Sequence, residues 1–462
     1  MAFRDKERAV IRKCNLEWHC HEIKIHQSKL DDGYVFEGYG IVKSADNGGL
    51  YLDFICKKSN KIIDFRTPIP EDSLDERQVM TMKALTIDGV ELCSSGLRIE
   101  SDFQKSLSED PKLYKIGLSY IEFSEETDLT YNKEKTLYLE FNEECRIPKN
   151  KLNKTESTLG VRSSSWNQTV LNYEDFEINI IRHEDYTEVS ANGNSIDLDK
   201  LRNAITFYLS FSSGVYIQPY FEYKREGACS VTEIRSIDRK KINNSIPAPV
   251  CDLVHDQNKV SLENLHFELF DNIYFIITSN DKVFDSIYSQ WKRIWHSFLS
   301  PEISVPMLTI SVAIEGVLND IFIPKLSSDL RDESFEDEKS NIIDELEKNK
   351  AISNDHIESL TKYVEKWGNV HARKALNYLV DKNVIEKRQV NNWSDLRNSS
   401  AHPKLMKQDE GRKKKDLTRT IICLGLFYRL TLNVFAYKGA QYAYEKPKDN
   451  KLVIYEYVNV LH

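Results

Sequence analysis

Eight cysteines are spread over 462 residues, and no two of them form a Cys-x-x-Cys pair. No disulfide framework or paired-cysteine zinc site is expected, and a reduced chain with buried thiols is the economical reading. No secretory leader is seen either, because Met1-Ala2-Phe3-Arg4-Asp5-Lys6-Glu7-Arg8 has no apolar core. Long hydrophobic runs are scarce: the longest, Ile421 to Tyr437, contains Arg429 and falls short of a membrane span. The chain has no glycine-rich phosphate loop, no Ser/His/Asp pattern tied to a fold and no paired acidic metal motif. No internal repeat is found. The expectation is a soluble intracellular, cytoplasmic protein with no membrane partner.

What remains is ample for globular folding. The length suggests two or three domains, and the hydrophobic fraction of 40% can fill their cores. A net charge of −9 argues against a protein that coats nucleic acid, while leaving room for a local basic site.

Residues 1 to about 275 read mostly as strands. Tyr34 to Lys43 and Leu50 to Cys56 are β-branched and aromatic runs flanking the turn-rich Ser44-Ala45-Asp46-Asn47-Gly48-Gly49, a hairpin pattern. Similar runs recur at Leu137–Phe141, Phe176–Ile181, Thr187–Ala191 and Val215–Tyr223. Asn192-Gly193 predicts a turn, since both residues tolerate positive φ. One helix interrupts, from about Leu198 to Phe211, with Leu201, Ala204, Ile205 and Leu209 on one face. The pattern favours an antiparallel, sandwich-like fold. The stretch 150–165, rich in Lys, Asn and Ser, could divide this region or be a long loop.

Near residue 278 the period changes. Ser279-Asn280-Asp281 can cap an amphipathic helix through Phe284, Ile287, Trp291 and Trp295, stopped by Pro301 and Pro306. A second helix spans Leu308 to Ile323 and closes at Pro324. Ser327 to Lys350, acidic and polar, reads as a loop entering a helix at Ile342. The expected domains are therefore 1–277, β-rich, and 278–462, all-α.

The chemistry gathers in Trp393-Ser394-Asp395-Leu396-Arg397-Asn398-Ser399-Ser400-Ala401-His402. Val384, Ile385, Val390, Trp393 and Leu396 recur at helical period. Asn398, Ser399 and Ser400 favour helix ends, and Pro403 pushes His402 out of the α region. The helix should therefore end between Arg397 and His402. Five steps along an intact helix would rotate the two side chains about 140° apart, whereas a broken end lets them converge. A permanent cation beside an imidazole is a set that can work on a phosphodiester.

Trp-x-x-Leu-Arg-Asn-x-x-Ala-His resembles the Arg-x4-His signature of HEPN domains, the small all-α modules of many prokaryotic ribonucleases. Tyr437-Lys438-Gly439, closing a long apolar helix, resembles the branch found in ApeA-type antiphage proteins, whose β-rich N-terminal domain precedes a C-terminal HEPN domain. The resemblance covers roughly the last third of the chain, and the rest only by layout. It implies metal-independent RNA cleavage without a cofactor, in which the ribose 2′-hydroxyl attacks the adjacent phosphate. His402 would move protons, Arg397 would stabilise phosphate charge, and Asn398 would position one or the other. On spacing alone the plainer reading is the stronger one, with Arg397 capping a helix end and His402 filling a turn. The resemblance reverses that order.

Glu315 stands on the stripe Leu308, Val312, Glu315, Leu318, Phe322, where a carboxylate needs a partner. Its two readings are a residue that orients Arg397 or His402, as the resemblance implies, and an exposed Glu beside Gly316 at a helix seam. Lys404, Lys407, Arg412, Lys413, Lys414, Lys415 and Arg419 follow the motif. Residues 381–446 hold 14 Lys and Arg against 7 Asp and Glu, a balance of +7 within a chain of −9. That run could bind RNA phosphates or be an ordinary solvated loop. His19-Cys20-His21 and His26 lack a second ligand pair and read as strand residues.

The resemblance implies an antiphage endoribonuclease that cuts host RNA, with transfer RNA a candidate, when a phage-derived trigger acts on the N-terminal domain. A homodimer through the helical domain is expected. The helix Leu417–Tyr437 is apolar on more than one side, which calls either for a second subunit or for a place at the centre of a bundle. The rival function is an inactive HEPN module that mediates association.

Overall fold

The computed structural model describes residues 5–461 except 62–68, 73, 100–111, 127–133, 143–144, 157–161, 238–244, 252–262, 331–332, 350–351, 366–369, 402–409 and 447–448. It is a mixed α+β protein with a large antiparallel sheet in its N-terminal region and helices in its C-terminal region. Two compact units result. One is Met1–Cys145, Lys149–Thr206 and Ile217–Asn243; the other is Arg146–Pro148, Phe207–Tyr216 and Asn244–His462.

The first unit opens with helix α1 (Asp5–Arg12). Its strands are β1 (Glu17–His26), β2 (Val35–Ser44), β3 (Leu50–Ser59), β4 (Met80–Thr86), β5 (Glu91–Leu97), β6 (Lys112–Leu118) and β7 (Tyr120–Glu126). They continue with β8 (Lys135–Phe141), β9 (Lys151–Glu156), β10 (Arg162–Asn172), β11 (Phe176–Arg182), β12 (Thr187–Gly193), β13 (Pro219–Glu226) and β14 (Cys229–Arg235). Between β12 and β13 runs helix α2 (Leu198–Ser213), which belongs to this unit up to Thr206 and to the second from Phe207.

In place of two stacked sheets, the described strands form a single antiparallel series, β6-β3-β2-β1-β4-β5-β7-β14-β13-β8-β12-β11-β10-β9. The first six curl toward closure, and β5 meets β6 through the bridge between Arg98 and Gly117. Bulges in β1, between Cys20 and Ile23, and in β2, between Glu37 and Gly38, increase the bend. Gly38 and Gly40 permit it: a Cβ on either would stand 2.0 or 2.1 Å from a carbonyl oxygen of β3. The alternation seen in sequence points Phe36, Val42, Leu52, Phe54, Met82 and Ile116 inward, and all are buried.

The structure corrects three local expectations in this unit. Within the stretch 150–165 the described residues are strand, because β9 and β10 pair there at the end of the sheet. Asn192 and Gly193 extend β12 instead of turning, with Gly193 opposite Phe176; a Cβ there would lie 2.4 Å from Asp175 O. Val215 to Gln218 precede β13 and are not part of it.

The second unit contains α3 (Glu263–Ser279), α4 (Asp281–Ser297), α5 (Ser304–Val317), a π-helical turn (Leu318–Phe322) and α6 (Ile323–Leu330). These are followed by α7 (Glu333–Lys348), α8 (Asn354–Glu365), α9 (Ala372–Asp381), α10 (Lys387–Ala401) and α11 (Glu410–Val434). The hairpin β15 (Ala440–Lys446) and β16 (Asp449–Ile454) closes it, so the region expected to be all-α ends in strands. α3 lies before residue 278, in a stretch expected to be strand, and belongs to this unit. Its apolar residues surround the helix, so no single face declares a helical period. Ser327–Lys350 was expected to be a loop entering a helix at Ile342, yet α7 starts at Glu333; its sparse apolar stripe, Phe335, Ile342, Ile343 and Leu346, is diluted by charge.

Pro324 does not end the helix it was expected to close. The chain passes from α5 through the π turn into α6, so that proline, lacking an N–H, sits where the backbone ladder is already rearranged. Pro306 likewise stands in the first turn of α5, where N–H groups have no helical acceptor anyway.

α11 is the centre of this unit. Thr420 to Tyr428 and Leu430 to Asn433 are buried along it, covered by α5, α10 and β15. Phe211 meets the Tyr428 ring edge-on at 5.6 Å, and Phe207 lies 5.8 Å from Phe435. From Thr420 onward the apolar sides that could have called for a second subunit are thus filled within the chain, while Leu417 near the start of the helix stays exposed. Exposed apolar side chains lie on α5, at Val305, Leu308 and Val312, and elsewhere in this unit at Phe275, Leu360 and Tyr363.

Candidate functional site

α10 and α5 lie side by side and are joined by two rungs one helical turn apart. Val390, Trp393 and Leu396 bury the inner face of α10. In the first rung the Trp393 indole N–H donates to Ser311 O at 3.2 Å. Ser311 is small and buried, so the ring can lie against the backbone of α5. In the second rung, four residues on along each helix, the Arg397 guanidinium meets Glu315. Nε lies 3.1 Å from Oε2 and Nη2 3.2 Å from Oε1, a two-pronged charge-assisted pair. Arg397 also sits 5.9 Å from the Trp393 ring centroid.

The pair stands at the surface, with the Arg397 side chain 50% exposed and Glu315 32%. A guanidinium has five N–H donors, and Glu315 engages two of its nitrogens, leaving outward donors for a phosphate. Gly316 allows α4 to approach, since a Cβ there would stand 2.6 Å from the Gln290 amide. Glu315 thus meets Arg397 and stands, half-buried, beside Gly316 at a helix seam. The stripe assigned to it does not hold, because Leu308 and Val312 face solvent while Leu318 and Phe322 are buried. Leu318 and Phe322 both lie in the π turn, where the angular step per residue differs from that of α5.

α10 ends at Ala401, as its polar last residues and Pro403 require. Asn398 is exposed one position beyond Arg397. His402 lies outside the described residues, as do Lys404 and Lys407. The rest of the basic run forms the first turns of α11. Lys413, Lys414 and Lys415 are exposed there, while Arg412 stands 3.9 Å from Asp416. Arg419 reaches back to α10, donating to Asp395 Oδ2 at 2.6 Å, and lies 3.8 Å from Asp416.

Asp395 was not singled out from sequence, although it stands two residues before Arg397 and its charge among basic neighbours was visible. Two further features had no sequence signal. His266 is fully buried, with Nδ1 2.8 Å from the Tyr208 hydroxyl, and burial lowers its pKa to about 4. Glu140 is buried in the first unit, receiving the Arg12 guanidinium at 2.7 Å and the hydroxyls of Tyr138 at 2.7 Å and Tyr220 at 2.5 Å. His19 and His21 line a shallow hollow with Tyr39 and Asp53, and His19 pairs with Glu17 at 3.4 Å. No protein-family description, no curated protein and no solved structure matches this chain.

Proposed function

We propose that the helical unit is a HEPN-type endoribonuclease of an antiphage system, working in the cytoplasm and governed through the β-rich unit by a phage-derived trigger. The observation that carries this reading is the half-exposed Arg397, held in a fixed orientation by Glu315 at the end of the helix that delivers the chain to His402. A cation that is both oriented and open to solvent suits a phosphate better than a helix cap does. In the reaction, the substrate's 2′-hydroxyl attacks the neighbouring phosphorus and the bond from phosphorus to the 5′-oxygen breaks; His402 takes up the hydroxyl proton and returns one to the leaving 5′-oxygen, while Arg397 offsets charge on the phosphoryl oxygens. Asn398 contacts the phosphate or the imidazole. Lys404, Lys407 and the ridge Arg412 to Lys415 hold the RNA strand by its phosphates.

The unit works as a homodimer. Its contact is the exposed α5 face of Val305, Leu308 and Val312, on the same helix as Glu315, so that two-fold pairing sets two Arg397 sites beside one cleft. The second reading is an inactive association module, and the observation that favours it is the neutralising Glu315 carboxylate on Arg397.

Incubating EDTA-treated protein with total RNA separates the two. Cleavage leaving 2′,3′-cyclic phosphate ends is expected, and its loss in both Arg397→Ala and His402→Ala at unchanged melting temperature. Parental cleavage by a folded variant would sink the assigned site. Activity that needs added magnesium or manganese would point to a metal nuclease.

A further inference from the structure

The first unit carries a second place where chemistry converges, at the seam where the curled half of the sheet comes closest to closing. A cleft of about 950 Å³ lies there, lined by the ends of β5 and β6 and by β14. Its size is at the upper end of the range for small-molecule sites. Arg98, Lys115 and Arg235 line it, against the single lining carboxylate of Glu233. Positive lining is notable in a chain of net charge −9.

The cations are placed, not loose. Arg235 is held between Glu233 at 2.5 Å and Glu222 at 3.6 Å. Lys115 rests its ammonium 4.2 Å from the centre of the Tyr51 ring, a contact that leaves its charge intact.

A second, independent feature is the floor. Gly96 and Gly117 lie within β5 and β6, where glycine costs strand stability. Neither is forced by crowding, since nothing stands within 4 Å of where a Cβ would be at either position. Gly96 has φ of +76° at the register shift between β4 and β5, a conformation that by itself calls for glycine, whereas Gly117 has no such reason. Two bare strand backbones side by side, faced by cations and by the hydroxyl-bearing Ser119, Tyr120 and Ser236, form a cradle for a group that must approach the main chain closely.

We infer that this cleft binds a phosphate-bearing small molecule, its phosphates on Arg98 and Lys115 and its body over Gly96 and Gly117. A nucleotide and a free phosphate chain share that chemistry. The site is independent of the Arg397 site, and its failure would leave the nuclease reading untouched.

Isothermal titration calorimetry on the full chain with ATP, inorganic triphosphate and adenosine tests it. Both phosphate compounds are expected to bind and adenosine to give no heat. ATP tighter than triphosphate assigns a nucleotide, and equal affinities assign the phosphate chain alone. Lys115→Ala and Arg98→Ala should each weaken ATP binding by roughly tenfold or more, the usual cost of one charge-assisted contact. Gly117→Val places its side chain in open space, so it should keep the parental melting temperature and lose binding. The inference is overturned if neither phosphate compound binds, if adenosine binds as well as ATP, or if the folded Lys115→Ala and Gly117→Val variants bind as the parent does.

Discussion

Arg397 and Glu315 form an exposed ion pair, and such pairs contribute on the order of 1 kcal/mol or less to stability. Their value is directional: the fork-to-carboxylate geometry fixes where the guanidinium points. Glu315→Ala should therefore leave the melting temperature almost unchanged and lower RNA cleavage, with Glu315→Gln recovering part of it because an amide oxygen still accepts from Nε. Equal activity in parent and Glu315→Ala would remove Glu315 from the site. His266 makes the opposite kind of contribution. Its native pKa of about 4 lies below the ordinary histidine value of 6.5, so as pH falls from 6.5 toward 4 the unfolded chain binds a proton that the native state refuses. Stability should fall through that window by as much as about 3 kcal/mol. Denaturant midpoints at pH 7 and 4.5 check this: His266→Gln, which can keep a bond to Tyr208, should lose roughly 2 kcal/mol less than the parent between the two.

At the scale of the element, α1 is tied to the sheet by its basic side chains. Arg12 donates to Glu140, and Arg8 stands 3.7 Å from the same carboxylate with its guanidinium 4.5 Å from the Tyr138 ring. Removing one partner of a buried ionic group leaves the others uncompensated, at a cost of about 3–5 kcal/mol. Glu140→Ala should lower stability by that order in a urea titration, and an effect below about 1 kcal/mol would mean the cluster is solvated. None of this was legible in the sequence, because Arg12 and Glu140 are far apart in the chain and both look like surface residues. α10 was legible, since Val390, Trp393 and Leu396 announce its buried face and Ser399, Ser400 and Pro403 announce its end. Glu315 could be picked out as a carboxylate in an apolar pattern. Which side of α5 faces inward could not, because Val305, Leu308 and Val312 are as apolar as Ile310, Ile314 and Val317. The π turn was hidden for a related reason: Pro324 reads as a stop unless the ladder around it is seen. The sheet's hairpins came from local alternation, whereas its strand order depends on pairings between distant segments.

For the whole molecule, the α5 face gives the assembly its test. Light scattering on the full chain should show a dimer at tens of micromolar, and Val312→Glu, altering a residue that is 52% exposed, should yield a folded monomer with less nuclease activity. A parent that is monomeric and fully active would end the composite-site idea. The sheet carries a consequence of another kind. Along the described strands its two halves are joined between β5 and β7 by one register pair, Cys93 with Glu122, while neighbouring strands elsewhere share long ladders. Amide protons report such differences, because protection from exchange with solvent deuterium follows the free energy of local opening. The amides flanking Cys93 and Glu122 should therefore label before those of the long ladders on either side, although residues of both halves share one core. A molecule seated at that line, against β5, β6 and β14, should slow the exchange of these amides on both sides of it at once.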